Sequence, residues 1–168
     1  MAVEFNPFKK ATRTKTRLRM ALCGPAGSGK SYTALRIANA LKHLIESDLG
    51  RPARIAAIDT ERETLVKYLE EIEDNLPPFD WDNLNLVDYS PSSYTAMIKA
   101  AERQNYDICI VDSLSHAWSG SGGALEIVDR KTAAGRSGNA FTDGWREVTP
   151  MHNTMLDAIL GSTMHVIC

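Results

Sequence analysis

The sequence predicts an α/β fold, a three-layer α/β/α sandwich built on a mostly parallel sheet. Three observations carry this expectation. Apolar runs of strand length recur at Leu18 to Cys23, Arg54 to Ile58, Leu84 to Asp88, Ile108 to Asp112 and Met164 to Cys168. Stretches with apolar residues three or four apart alternate with them, which is the helical period. The strand runs are nearly continuous in apolar residues, as expected of strands covered by helices on both faces.

The elements follow in order. Residues 1–16 read as a basic arm: residues 1 to 20 carry six Lys or Arg against Glu4, net +5, leaving −7 for the rest. Residues 17–168 read as one domain, and 43% apolar residues suffice for a sizeable core. After Lys30, the spacing of Leu35, Ala38, Leu41 and Ile45 predicts a helix that ends near Gly50 and Pro52. A second helix is predicted from about Arg62 to Asp74, with an acidic, solvated end. Ser90 and Pro91 suit the N-cap and first turn of a third helix through Gln104. The Gly- and Ser-rich stretch from Ser119 to Gly144 breaks the rhythm around one short helix, Ala124 to Ala133. A last helix, Trp145 to Leu160, leads into the final strand, with Pro150 tolerable only near its start.

Cys23, Cys109 and Cys168 show no paired spacing and read as reduced, buried residues, which points to a cytoplasmic setting. No run approaches the roughly 18 apolar residues of a membrane span. The four histidines show no metal-ligand spacing and read as surface or packing residues.

The most specific signal is GPAGSGKS, Gly24, Pro25, Ala26, Gly27, Ser28, Gly29, Lys30 and Ser31, followed by Tyr32. It matches GxxxxGK[ST], the P-loop or Walker A motif, in the required place between a strand and a helix. Such a pattern arises by chance about once in 10⁴ to 10⁵ positions. Glycines let backbone N–H groups converge on a phosphate, and the N-terminus of the following helix adds to that field. Lys30 supplies a mobile charge to the β- and γ-phosphates, and the Ser31 hydroxyl suits Mg²⁺. The competing reading is a glycine-rich turn with no ligand. Asp112, closing the run Ile108 to Asp112, is the expected Walker B carboxylate for Mg²⁺. Hydrolysis also needs a group that handles water. Ser113 stands where many such ATPases carry Glu, so the expectation falls on Glu61 at the end of the neighbouring strand. Asp59 and Glu63 compete, and all three acids also suit the start of a helix near Arg62.

GPAGSGKS, AIDTE and CIVDS in this order resemble the RecA family of ATPases, including RadA-like recombinases and RecA-like AAA-type proteins of bacteriophages, over residues 17–168. The resemblance implies a RecA-like P-loop core, ATP and Mg²⁺ as ligands, Glu61 as the catalytic carboxylate, and Asp112 with Ser113 at the metal. It also implies an aromatic stacked on adenine, a role that Tyr68 is placed to fill; packing against the sheet is the alternative. The IVDSLSHAW and HVIC segments look most like phage-type proteins that assist single-strand annealing or recombination. Chains of that family continue past His165 to Cys168, so this one reads as truncated at its C-terminus.

The resemblance further implies single-stranded DNA bound through residues 118–145. Arg130, Lys131 and Arg136 lie there with Trp118 and Trp145 at the edges, while Asp129 and Asp143 oppose a basic character; the competing reading is a surface loop with the two tryptophans packed against the core. Phe8-Lys9-Lys10-Ala11 has the FxxA form with which RadA-like recombinases join neighbouring subunits, which would make a homo-oligomer; the competing reading of the arm is a solvated basic tail. Two other classes stay open: a P-loop kinase acting on a small acceptor, and a nucleotide-dependent assembly module without meaningful hydrolysis. A GTPase is disfavoured because the chain has no NKxD.

Overall fold

The computed structural model describes residues 16–69, 79–135 and 137–168. The basic arm up to residue 15, the Phe8 to Ala11 tetrapeptide, the acidic end of the second predicted helix and Arg136 lie outside them. Five strands, β1 (Arg19–Met20), β2 (Ile55–Asp59), β3 (Asp82–Asn85), β4 (Ile108–Asp112) and β5 (His165–Ile167), form one sheet in the order β1-β5-β4-β2-β3. Every pairing is parallel. The helices are α1 (Lys30–Leu49), α2 (Pro91–Arg103), α3 (His116–Ser119), α4 (Ala124–Ala134) and α5 (Arg146–Leu160). The expected sandwich with a parallel sheet is what the chain forms.

Successive residues of a strand point to opposite faces, so each central strand feeds two cores. Ile55, Ala57, Ile108, Ile110 and Ile167 pack on one face with Ala34, Leu35 and Ala38 of α1. Ala56, Ile58, Cys109, Val111 and Val166 pack on the other with Tyr94 and Ile98 of α2 and Met155 and Ile159 of α5. Each buried isoleucine contributes about 1.5–3 kcal/mol. A satellite cluster joins α4 to Val148 of α5.

The predicted boundaries of α1, α2, α4 and α5 hold to within a residue or so, while β1 keeps only Arg19–Met20 of the run Leu18 to Cys23, α3 is unannounced, and three further elements differ. The second predicted helix begins at Leu65 as a 3₁₀ turn, Leu65–Leu69. Arg62 (φ 55°) and Glu63 (φ 64°) sit in the left-handed region, which excludes them from a right-handed helix. β3 lies two residues upstream of the predicted run because it is an edge strand: all four of its residues are exposed, so its pairing to β2 is a backbone matter with no apolar signature. Ala140–Trp145 forms a π-turn ahead of α5, which no sequence pattern announced. Cys23 is exposed, against expectation, because it lies past the end of β1, at the edge of the sheet; Cys109 is buried as expected, and Cys168 partly so. Among the described residues no helix is long and apolar enough to cross a membrane.

Candidate functional site

The carboxyl ends of a parallel sheet open onto one crevice, and here they bring the motifs together. Residues 21–29 link β1 to α1, with Gly27 at φ 75° and Gly29, the N-cap of α1, at φ 82°. A Cβ on either glycine would meet nothing within 4 Å, so the conformation, not crowding, requires glycine. Gly24 is different, because a Cβ there would stand 2.7 Å from Ser28 Oγ. Lys30 Nζ donates to the carbonyls of Gly24 (3.0 Å) and Pro25 (2.9 Å), which aims the ammonium along the loop.

Asp59 and Asp112 are the last residues of the adjacent strands β2 and β4 and pair in register. Their buried carboxylates have different surroundings. Asp59 Oδ1 accepts from the Glu61 amide (2.7 Å) and Oδ2 from the Leu65 amide (3.2 Å), so both oxygens hold the turn in place. Asp112 is 9% exposed, and its Oδ2 is a buried atom without a hydrogen-bond partner among the described residues. Burial holds its carboxyl above the usual carboxylate range, helped by the like charges of Glu61 and Asp59 and opposed by a hydrogen bond from Ser31 and by the Lys30 charge. Glu63 is also engaged, accepting from Asn85 Nδ2 at 2.9 Å. The exposed Glu61 carboxylate has no hydrogen bond or ion pair among the described residues. Of the three competing acids, Glu61 is therefore the one left at liberty.

The model of the AAA domain family matches residues 16–168. The chain belongs to that family. No curated protein and no solved structure matches it. An AAA domain is a nucleotide-binding, ATPase-type domain, and here the P-loop with Lys30 and Ser31 and the buried Asp112 with its unmet oxygen line one crevice. Among the described residues, no three His, Cys, Asp or Glu side chains gather around a point that a metal ion could occupy.

The remaining predicted residues are placed as follows. Tyr68 is half-buried beside Tyr32 (ring centroids 5.7 Å apart) in an aromatic group on the α1 side that includes Phe79. Trp118 and Trp145 stack at 5.3 Å, and Trp118 keeps 45% of its surface exposed. Lys131 is paired to Glu147 at 2.7 Å. Asp143 accepts from the Ser137 hydroxyl and amide and from the Asn139 amide, so it organises the turn ahead of the π-turn. A cavity of about 330 Å³ adjoins Lys30, Ser31 and Asp112 and is walled by Trp118, His152 and Met155.

Sequence reasoning missed the residues that join the two strand ends. The amide of Thr60, 2% exposed, donates to the Asp112 carbonyl (2.7 Å), and its hydroxyl meets the Ser113 amide (2.8 Å) and His116 Nδ1 (2.7 Å). Tyr94 donates to the Ser113 carbonyl (2.9 Å). Tyr94 belongs to the buried face of α2 with Ile98 and Ala101, but that spacing does not announce its hydroxyl's role; for Thr60 and Ser113 the signal is a hydroxyl residue directly after a strand-ending acid in both AIDT and IVDS.

Proposed function

We propose that the protein binds ATP with Mg²⁺ on its P-loop and hydrolyses it, and that it uses this cycle in DNA annealing or recombination as an oligomer. The observation that carries the nucleotide reading is the buried, unpartnered oxygen of Asp112 beside Ser31. In water such an orphan would cost nothing, but buried it demands a cation or a donor. Ser31 and Asp112 are the residues that would hold Mg²⁺, which when bound would neutralise charge on the β- and γ-phosphates. Lys30 would exchange the Gly24 and Pro25 carbonyls for phosphate oxygens. Glu61 would orient the attacking water, since Asp59 and Glu63 are engaged elsewhere. Tyr68 would lie against the adenine.

The DNA role rests on the likeness of IVDSLSHAW to phage-type proteins and on the stacked, partly exposed Trp118, a surface suited to an unstacked base. One observation favours a second reading, transfer of the γ-phosphate to a small acceptor: the cavity beside Lys30 and Asp112 has room for one.

Incubation with γ-labelled ATP, Mg²⁺ and candidate acceptors, with and without single-stranded DNA, decides between them. Free labelled phosphate is expected, and Glu61→Gln should lower its release about 10²- to 10⁴-fold while nucleotide affinity holds. Label on an acceptor would establish the kinase reading. Binding without turnover in either protein would leave an assembly module.

A further inference from the structure

His116, Thr60 and Ser113 form a junction in which one proton has two destinations. The Thr60 hydroxyl accepts from the Ser113 amide at 2.8 Å and lies 3.2 Å from the Ser113 carbonyl and 2.7 Å from His116 Nδ1. A hydroxyl has a single proton to give and two lone pairs to receive with. When His116 Nδ1 is bare, the Thr60 proton points to it. When Nδ1 carries hydrogen, the ring donates to Thr60 and the hydroxyl proton turns to the Ser113 carbonyl. The ring itself is fixed: Tyr89 stacks on it at 4.9 Å and 24°, and the Tyr89 hydroxyl donates to the Thr60 carbonyl (3.1 Å). Gly120 makes this approach possible, because a Cβ there would stand 2.6 Å from the Tyr89 ring.

The junction has two outlets. Thr60 lies between Asp59 and Glu61, and its amide is bonded to the Asp112 carbonyl, so it sets how the two carboxylate-bearing ends stand to each other. His116 opens α3, which carries Trp118 and its stack on Trp145. We propose that His116 is a positioning residue: through the Thr60 hydroxyl it couples the placement of Glu61 against Asp112 to the placement of α3 and the Trp118–Trp145 pair. This inference rests on the nucleotide reading above.

Coupling of this kind is reciprocal, so nucleotide bound at the strand ends must be felt at the tryptophans. The test uses the full chain with Trp81→Phe, which leaves Trp118 and Trp145 as the emitters, and follows both heat and emission on adding MgATP. In that background the emission should change on binding, and His116→Asn, which retains an acceptor near Nδ1, should preserve the change, as should Thr60→Ser. His116→Phe, which keeps the stack on Tyr89, and Thr60→Val should reduce it at least about fivefold while affinity stays within about threefold. A full emission change in His116→Phe would mean that nucleotide reaches Trp118 directly, and would overturn the proposal. So would a loss in His116→Asn equal to that in His116→Phe, or heat without any emission change in the parent. Absence of heat in the parent would instead sink the nucleotide reading, and the inference with it. Should Thr60→Val not fold, the Phe and Asn variants at 116 decide alone.

Discussion

Asp107 and Asp112 flank β4, one just before it and one at its end, and the chain treats them differently. Asp107 is saturated with donors. Arg51 reaches it through two bonds (2.6 and 3.0 Å), and the Arg54 amide adds a third (3.0 Å). Its neighbours at that end of the sheet are equally provided for: Arg19 donates to the carbonyls of Leu18, Leu160, Ser162 and Met164, closing the turn between α5 and β5. Arg54 pairs with Asp82 and lies over the Tyr106 ring, whose hydroxyl also binds Asp82. Asp112, by contrast, keeps a buried oxygen unmet, and the Glu61 carboxylate beside it has no partner among the described residues. The charges at the first end are met throughout, whereas at the carboxyl end Asp59 and Glu63 are met but Asp112 and Glu61 are not, the pattern expected of a ligand site.

Substitutions at the two ends should therefore separate binding from stability. The largest effect is expected for Lys30→Ala, which should weaken MgATP binding at least about 100-fold in calorimetry with little change in melting temperature; an unstable variant would show that the ligand end also holds the fold. Next, Asp107→Ala strands Arg51 and the Arg54 amide and should cost about 2–3 kcal/mol, lowering the melting temperature by roughly 5–10 °C with nucleotide affinity intact. Asp112→Asn should do the reverse. A carboxyl held above its ordinary value is favoured in the fold while protonated, and its ionised form costs stability. Removing its charge should raise the melting temperature by about 2–4 °C while abolishing Mg²⁺-dependent binding.

The smallest effect lies in acid. Burial pushes the Asp107 carboxyl up, but the Arg51 and Arg54 bonds outweigh it and hold it below the usual range. Its contribution is thus present above the ordinary carboxylate pKa of about 4 and lost as pH falls through the lower native value. Urea midpoints measured from pH 6 to pH 2.5 should fall less steeply in Asp107→Asn than in the parent; parallel slopes would remove Asp107 from the account.

Much of this was legible beforehand where the signal is local. The P-loop is one contiguous octapeptide, and parallel packing of apolar runs puts the Asp59 and Asp112 strand ends on one edge of the sheet, although it does not fix their direct pairing. The turn after β2 was misread as the start of a helix because its cause is a side chain: Asp59 captures the amides of Glu61 and Leu65, forcing Arg62 and Glu63 through positive φ. An Asp bonded to the amide two residues on is a recognisable turn device, so D-x-E could have been read that way. The Thr60, Ser113 and His116 junction was not legible, because it joins residues more than fifty positions apart through single hydrogen bonds that leave no periodic trace.

The grip of Asp59 on its own turn makes two neighbouring acids non-interchangeable. Were DTE rewritten as ETD, composition and net charge would be untouched. The longer side chain would overshoot the two amides it must cap, and the shorter one would fall short of the crevice. A reader of sequences who scores this stretch only by its acidity would see no difference, although the rewritten chain has given up both the hinge pin and the reach.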